Sequence, residues 1–132
     1  MKLNFSLSLW GYEAYTMPET LEDAVREAHQ SGYGVEMWPS WKNDPNLFAP
    51  DNRSRIVQML EDVPSSLHGG RTESFADHKL QIDAARDTGS PVIVVHADSL
   101  GLALGKYDFS LADEVVGYAR ESQVTVALEN SP

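Results

Sequence analysis

The hydrophobic period of this chain switches repeatedly between about two and about 3.6 residues, and that alternation limits what it can fold into. Residues 3–9, LNFSLSL, alternate Leu3, Phe5, Leu7 and Leu9 with polar residues, which predicts a strand. In PETLEDAVREAHQSG the apolar residues Leu21, Ala24, Val25 and Ala28 recur at helical spacing. Pro18, Glu19, Glu22 and Asp23 suit the start of that helix, and Gly32 suits its stop. YGVEMW, residues 33–38, predicts a second strand, followed by a loop rich in Pro and Trp. PDNRSRIVQMLEDV repeats the helical face with Ile56, Met59, Leu60 and Val63. SSLHGG, residues 65–70, reads as a strand stopped by a Gly pair. Phe75 to Thr88 reads as a helix with Ala76, Leu80 and Ala84 on one side, Ile82 and Ala85 beside them, and His78 in solvent. VIVV, residues 92–95, is a β-branched run of the kind found in strands covered on both faces. After the loop ADSLGLALGKYDF, Ser110 precedes LADEVVGYARES with Asp113 in a capping-box-like position, and VTVAL forms a last strand.

The resulting order is β-α-β-α-β-α-β-α-β, with about 30 residues per βα unit, the rhythm of a parallel sheet with right-handed crossovers. A chain of 132 residues supports one core, and no linker divides it, so residues 1–132 are expected to form a single domain. Two parallel architectures fit: an open doubly wound sheet and part of a (β/α)8 barrel. The first strand–helix junction, LSLWGYEAYTMPE, holds a single Gly, so the dinucleotide fingerprint is absent, as is a P-loop. HGGRTE reads as a turn. The strand ends favour the barrel. Trp10, then Glu36 and Trp38, then His68, His96 and Glu129 close five consecutive strands. In a barrel such ends converge on one mouth, whereas in an open sheet they spread along a line. The expected fold is therefore a partial TIM barrel of five strands and four helices, with a hydrophobic inner face.

Charge and composition exclude several functions. Twenty Asp and Glu against ten Lys and Arg give a net charge of −10, which repels nucleic-acid backbones and attracts divalent cations. There is no cysteine, hence no disulfide and no thiolate metal site. No apolar stretch approaches the ~20 residues of a membrane span, and MKLNFSLSLW lacks the apolar run of a signal peptide. A cytoplasmic protein with no nucleic-acid and no membrane partner is expected.

Two imidazoles and a carboxylate at neighbouring strand ends suit Zn²⁺, Mn²⁺ or Fe²⁺. Taken singly, each residue has a plainer role. His68 before two glycines fits a polar loop, His96 fits a satisfied core position, and Glu129 fits a surface just past its strand. Glu36 lies between Val35 and Met37, so it either points into the barrel or bridges an arginine. Trp10, Trp38 and Trp41 either stack on a sugar face or pack beneath the loops.

SSLHGG, SPVIVVHAD and VTVALENSP, in this order and spacing, resemble the xylose-isomerase-like TIM barrels. That superfamily includes sugar and sugar-phosphate isomerases and epimerases, inosose dehydratase and the endonuclease IV type of apurinic endonuclease. GYGVEMW and AARDTGSPVIVVH agree with it. The resemblance covers the whole chain but only the first part of the family's barrel. It implies that His68 and His96 are metal or substrate histidines and that Glu129 binds the metal; the expected set is His68, His96 and Glu129 around a divalent ion (zinc, manganese or magnesium). It also implies that Glu129 can act as a base, and Glu36 resembles a glutamate frequent on the family's second strand. Glu129 and Glu36 are thus the expected catalytic carboxylates, and Trp10, Trp38 and Trp41, by their place near the mouth, are expected to meet a small sugar-like substrate. The implied function is a metal-dependent sugar, sugar-phosphate or polyol isomerase or epimerase of carbohydrate metabolism, or the N-terminal half of one. The family's further ligands lie on strands six to eight. The alternatives are a non-catalytic half-barrel that binds or assembles, and an apurinic endonuclease, which the acidic charge disfavours. Unpaired outer strands lead to the expectation of a homodimer or higher oligomer.

Overall fold

The computed structural model describes residues 5–10, 18, 20–42, 44–102, 105 and 107–129. Leu3 and Glu19, which the sequence places in the first strand and at the start of the first helix, lie outside them. The elements are β1 (Ser6–Ser8), α1 (Leu21–Gln30), β2 (Gly34–Met37), α2 (Arg53–Met59), β3 (Ser65–His68), α3 (Phe75–Asp87), β4 (Val92–His96), α4 (Ser110–Glu121) and β5 (Thr125–Glu129). Short 3-10 turns, Pro50–Asn52 and Asp98–Leu100, precede α2 and follow β4.

The five strands are parallel and ordered β1-β2-β3-β4-β5. A doubly wound sheet reverses direction partway, and this one does not. Right-handed crossovers that always step the same way put every helix on the same face, which is how a barrel wall is built. The register assigns the two faces. Leu7 pairs with Val35, Met37 with Leu67, and Leu67 with Ile93. These residues face the helices, and Val35, Met37, Leu67, Ile93 and Val95 are buried there. They meet Leu21, Ala24, Val25 and Ala28 of α1, Ile56 of α2, Ile82 and Ala85 of α3, and Val115 and Ala119 of α4 in one core. Because side chains alternate along a strand, the opposite face carries Ser6, Ser8, Glu36, Ser66, His68, Val94, His96, Ala127 and Glu129. That inner face is largely polar, not hydrophobic as expected. Val92 and Val94 are only half-buried on it, so β4 is not fully covered on both sides.

The helices differ from expectation where local chemistry intervenes. Thr20 caps α1, its hydroxyl accepting from the Asp23 N–H at 3.1 Å. Gly32, at φ 84°, follows α1 in the left-handed conformation that glycine adopts without strain. Helix α2 stops at Met59, short of Val63. Glu61 and Asp62 would oppose the dipole at its C-terminus, and Pro64 disfavours a helical Val63. The stripe buried on α3 includes His78, Ile82 and Ala85, while Ala76 and Leu80 are exposed. His78 is 1% exposed, not solvated, and its Nε2 lies 3.4 Å from the Ser99 carbonyl. Ser110 is the first residue of α4 and not its cap. Asp108 takes over the capping, accepting from the Ser110 N–H at 3.0 Å, and this bond holds its carboxyl below the ordinary value. Among the described residues no helix is long and apolar enough to cross a membrane.

Candidate metal centre

Three consecutive strands each end in one member of the site: β3 in His68, β4 in His96 and β5 in Glu129. Register places His96 beside Glu129, and His68 beside Val94, so all three project from the same face. His68 Nε2 lies 2.9 Å and His96 Nδ1 3.2 Å from the same atom, Glu129 Oε2. The imidazoles are buried, their side chains 4% and 8% exposed, whereas the Glu129 side chain is 42% exposed and so reachable from the mouth.

The tautomer of His68 follows from its second contact. His68 Nδ1 lies 3.0 Å from the Gly69 carbonyl, which can only accept, so Nδ1 carries a proton. Its Nε2 then meets Glu129 either as a donor, in the imidazolium, or with a lone pair offered to a cation. A Cβ at Gly69 would lie 2.6 Å from the Gln81 side-chain oxygen and 3.0 Å from the Val94 carbonyl, so glycine eases the close approach of this turn to β4. Burial first, then the positive charge of Arg71, holds the His96 imidazole below its ordinary value, against the opposing pull of Glu129. That favours the neutral form a metal ligand requires.

The donor set fits a divalent ion. The candidate ligand atoms of His68, His96 and Glu129 lie within 4.8 Å of one another. Ligands roughly 2.0–2.2 Å from a tetrahedral ion lie about 3.3–3.6 Å apart; here the imidazole nitrogens approach Glu129 Oε2 to 2.9 and 3.2 Å, within a set spanning at most 4.8 Å. Two imidazoles and a carboxylate form a chemically suitable donor set for zinc.

The other expected residues are placed as follows. Glu36 is half-buried on the inner face, level with Ser66 and therefore one layer below His68. It makes no hydrogen bond or ion pair among the described residues, so the arginine bridge is not formed. Trp38 stacks on His68, centroids 3.9 Å apart and planes 10° from parallel. Trp10 packs on Trp38 at 6.1 Å and is 52% exposed at the rim. Trp41, by contrast, is 3% exposed and belongs to the hydrophobic core. Its position in the loop after β2 turns it inward beneath that loop, so it packs instead of facing the mouth.

Sequence reasoning does not single out Arg71 and Asp98, which form an ion pair at the rim. A signal is present: each follows a strand-end histidine, in HGGR and HAD. Tyr107 and Phe109, stacked at 6.5 Å and both exposed, lie in a stretch that the sequence marks only as loop. A cavity of about 1080 Å³ opens at the opposite end of the strands, between Gln58, Ser66, Arg86 and Val92. It holds none of the histidines, which lie at the C-terminal strand ends, the end at which parallel barrels carry their active sites.

No protein-family model matches the sequence, and no curated protein matches it. Solved structures do match by fold. A D-tagatose 3-epimerase-like protein superposes with a TM-score of 0.70 at 17% identity, over 98% of this chain and 54% of its own. The TTHB071 protein of Thermus thermophilus, soaked with ZnCl2, matches with a TM-score of 0.65 at 20% identity, over 99% and 57%. A protein assigned as a sugar phosphate isomerase/epimerase from Anabaena variabilis matches with a TM-score of 0.58 at 15% identity, over 97% and 54%. The chain spans a little over half the length of these structures. Its fold is therefore that of part of these structures, a partial TIM barrel of five parallel strands alternating with helices.

Proposed function

We propose that this chain carries the metal-binding half of a sugar isomerase or epimerase site, with His68, His96 and Glu129 as ligands. The observation that supports this reading most is the convergence of two imidazole nitrogens on one oxygen of Glu129, at 2.9 and 3.2 Å. When bound, a divalent ion would supply polarisation of a sugar carbonyl or hydroxyl oxygen. The chain's own residues would do the rest. Isomerisation and epimerisation both require a proton to leave a carbon beside a carbonyl and to return, and a carboxylate near the reacting carbon can carry it. Glu129 and Glu36 are the carboxylates on the inner face. The exposed ring of Trp10 offers an apolar surface to a sugar's C–H face. The names of the neighbours, an epimerase-like protein and a sugar phosphate isomerase/epimerase, agree with this class of substrate. A net charge of −10 argues against a DNA substrate.

Zinc titration of the purified chain tests the site. Binding that is lost in both His96→Ala and Glu129→Ala supports the reading, and unchanged binding in both removes it. Proton exchange from a panel of ketoses in D₂O separates enzyme from binding module. Zinc binding without exchange would leave the half-barrel as a non-catalytic binding or assembly module.

A further inference from the structure

Trp38 spends one face of its ring on His68, and this contact is part of a relay. The Trp38 Nε1–H donates to Ser8 Oγ at 2.9 Å, fixing the indole from β1. The indole lies against the imidazole at 3.9 Å, with the planes 10° apart. The imidazole then presents Nε2 to Glu129 at 2.9 Å. Three neighbouring strands thus determine where one nitrogen points.

The two contacts of His68 have separate effects. A flat stack sets the plane of the imidazole but tolerates a half-turn of the ring, which would exchange nitrogen for carbon at the edge facing Glu129. The Gly69 carbonyl resolves that ambiguity, because it accepts from Nδ1–H and not from a carbon. The carbonyl alone belongs to the next residue and leaves the plane loosely held. We infer that Trp38 is a positioning residue: with Ser8 behind it, it locks the ring plane of His68 so that Nε2 faces the metal position. The inference builds on the metal reading above, since a metal ligand is what the lock would serve, although the lock itself can be observed without metal.

The test uses the whole chain and three variants, Trp38→Leu, Trp38→Phe and Ser8→Ala, with two readouts. Long-range ¹H–¹⁵N NMR of the metal-free protein reports the tautomer and ring-proton shifts of His68. Wild type and Trp38→Phe should show one Nδ1–H tautomer with ring protons shifted by the stacked neighbour. Trp38→Leu should lose the shift and broaden the His68 ring signals as the plane loosens, with the His29 and His78 signals unchanged as a folding control. Zinc titration should show affinity lowered about tenfold in Trp38→Leu, the range for groups that orient a metal ligand, and near wild type in Trp38→Phe. If Trp38→Leu does not fold, Ser8→Ala decides, because it frees the indole while keeping it, and broadened His68 signals are expected. Wild-type His68 signals in whichever variant decides would overturn the positioning role. A wild-type chain that takes up no zinc would overturn the metal reading alone, and the NMR comparison would still decide the role of Trp38.

Discussion

At the scale of single residues the site is a balance between burial and charge. His96 is kept neutral mainly by burial and secondarily by Arg71. Arg71→Ala should therefore raise the His96 titration midpoint partway toward 6.5, the ordinary value, because the burial remains; an NMR titration measures it. The sign for stability follows. A group whose folded value is depressed favours the native state above its unfolded value, so this contribution weakens as pH falls through and below 6.5. Glu129→Gln tests the carboxylate differently, since it keeps the shape and removes the charge. Zinc affinity should fall by about 10–100-fold or more, read by competition titration. The clustering of His68, His96 and Glu129 is legible in sequence because each closes a strand, β3, β4 and β5. Trp41 was not, because a tryptophan in a proline-rich loop reads the same whether it faces a ligand or the core. The Trp38–His68 stack was also invisible, since it depends on the register of two strands.

At the scale of elements, sequence period located the five strands and four helices named above, while Leu9 and Trp10, expected to close β1, are helical, and the two 3-10 turns carry no periodic signal. His78 belongs to the buried stripe of α3, yet its polarity broke the pattern and shifted the expected face to Leu80. What satisfies it, the Ser99 carbonyl, lies on a turn 21 residues away that no local signal marks. The caps carry measurable energy. Thr20→Ala removes the side-chain acceptor that caps the start of α1 and should cost about 1 kcal/mol by chemical denaturation. Glu22 of α1 is tied to Arg55 of α2 at 2.7 Å, and Arg55 also reaches Asp44 at 3.0 Å. The Arg55 hydrogen bond holds Glu22 below its ordinary value of 4.5. Its stabilisation is present above 4.5 and fades below it, and with the Glu22 side chain 44% exposed it amounts to less than about 1 kcal/mol. Glu22→Gln should accordingly soften the loss of stability on acidification, as followed by urea melts from pH 6 to 3.

At the scale of the whole molecule, the core between sheet and helices carries the stability. Leu67 is fully buried between β2, β4 and the helices, and Leu67→Ala should cost about 2–5 kcal/mol. The sheet has β1 and β5 at its outer edges, and Phe5 and Leu128 are exposed there. Edges of this kind pair readily, so a dimer or larger assembly is expected in light scattering after size exclusion; a well-folded monomer would contradict it. The inner face described above has a further consequence. Three serines and a glutamate line it where layers of branched aliphatic side chains fill many parallel barrels. Hydroxyls and a carboxylate cannot be dehydrated without partners. Any surface that packs over this face must bring donors and acceptors of its own or leave ordered water between the two.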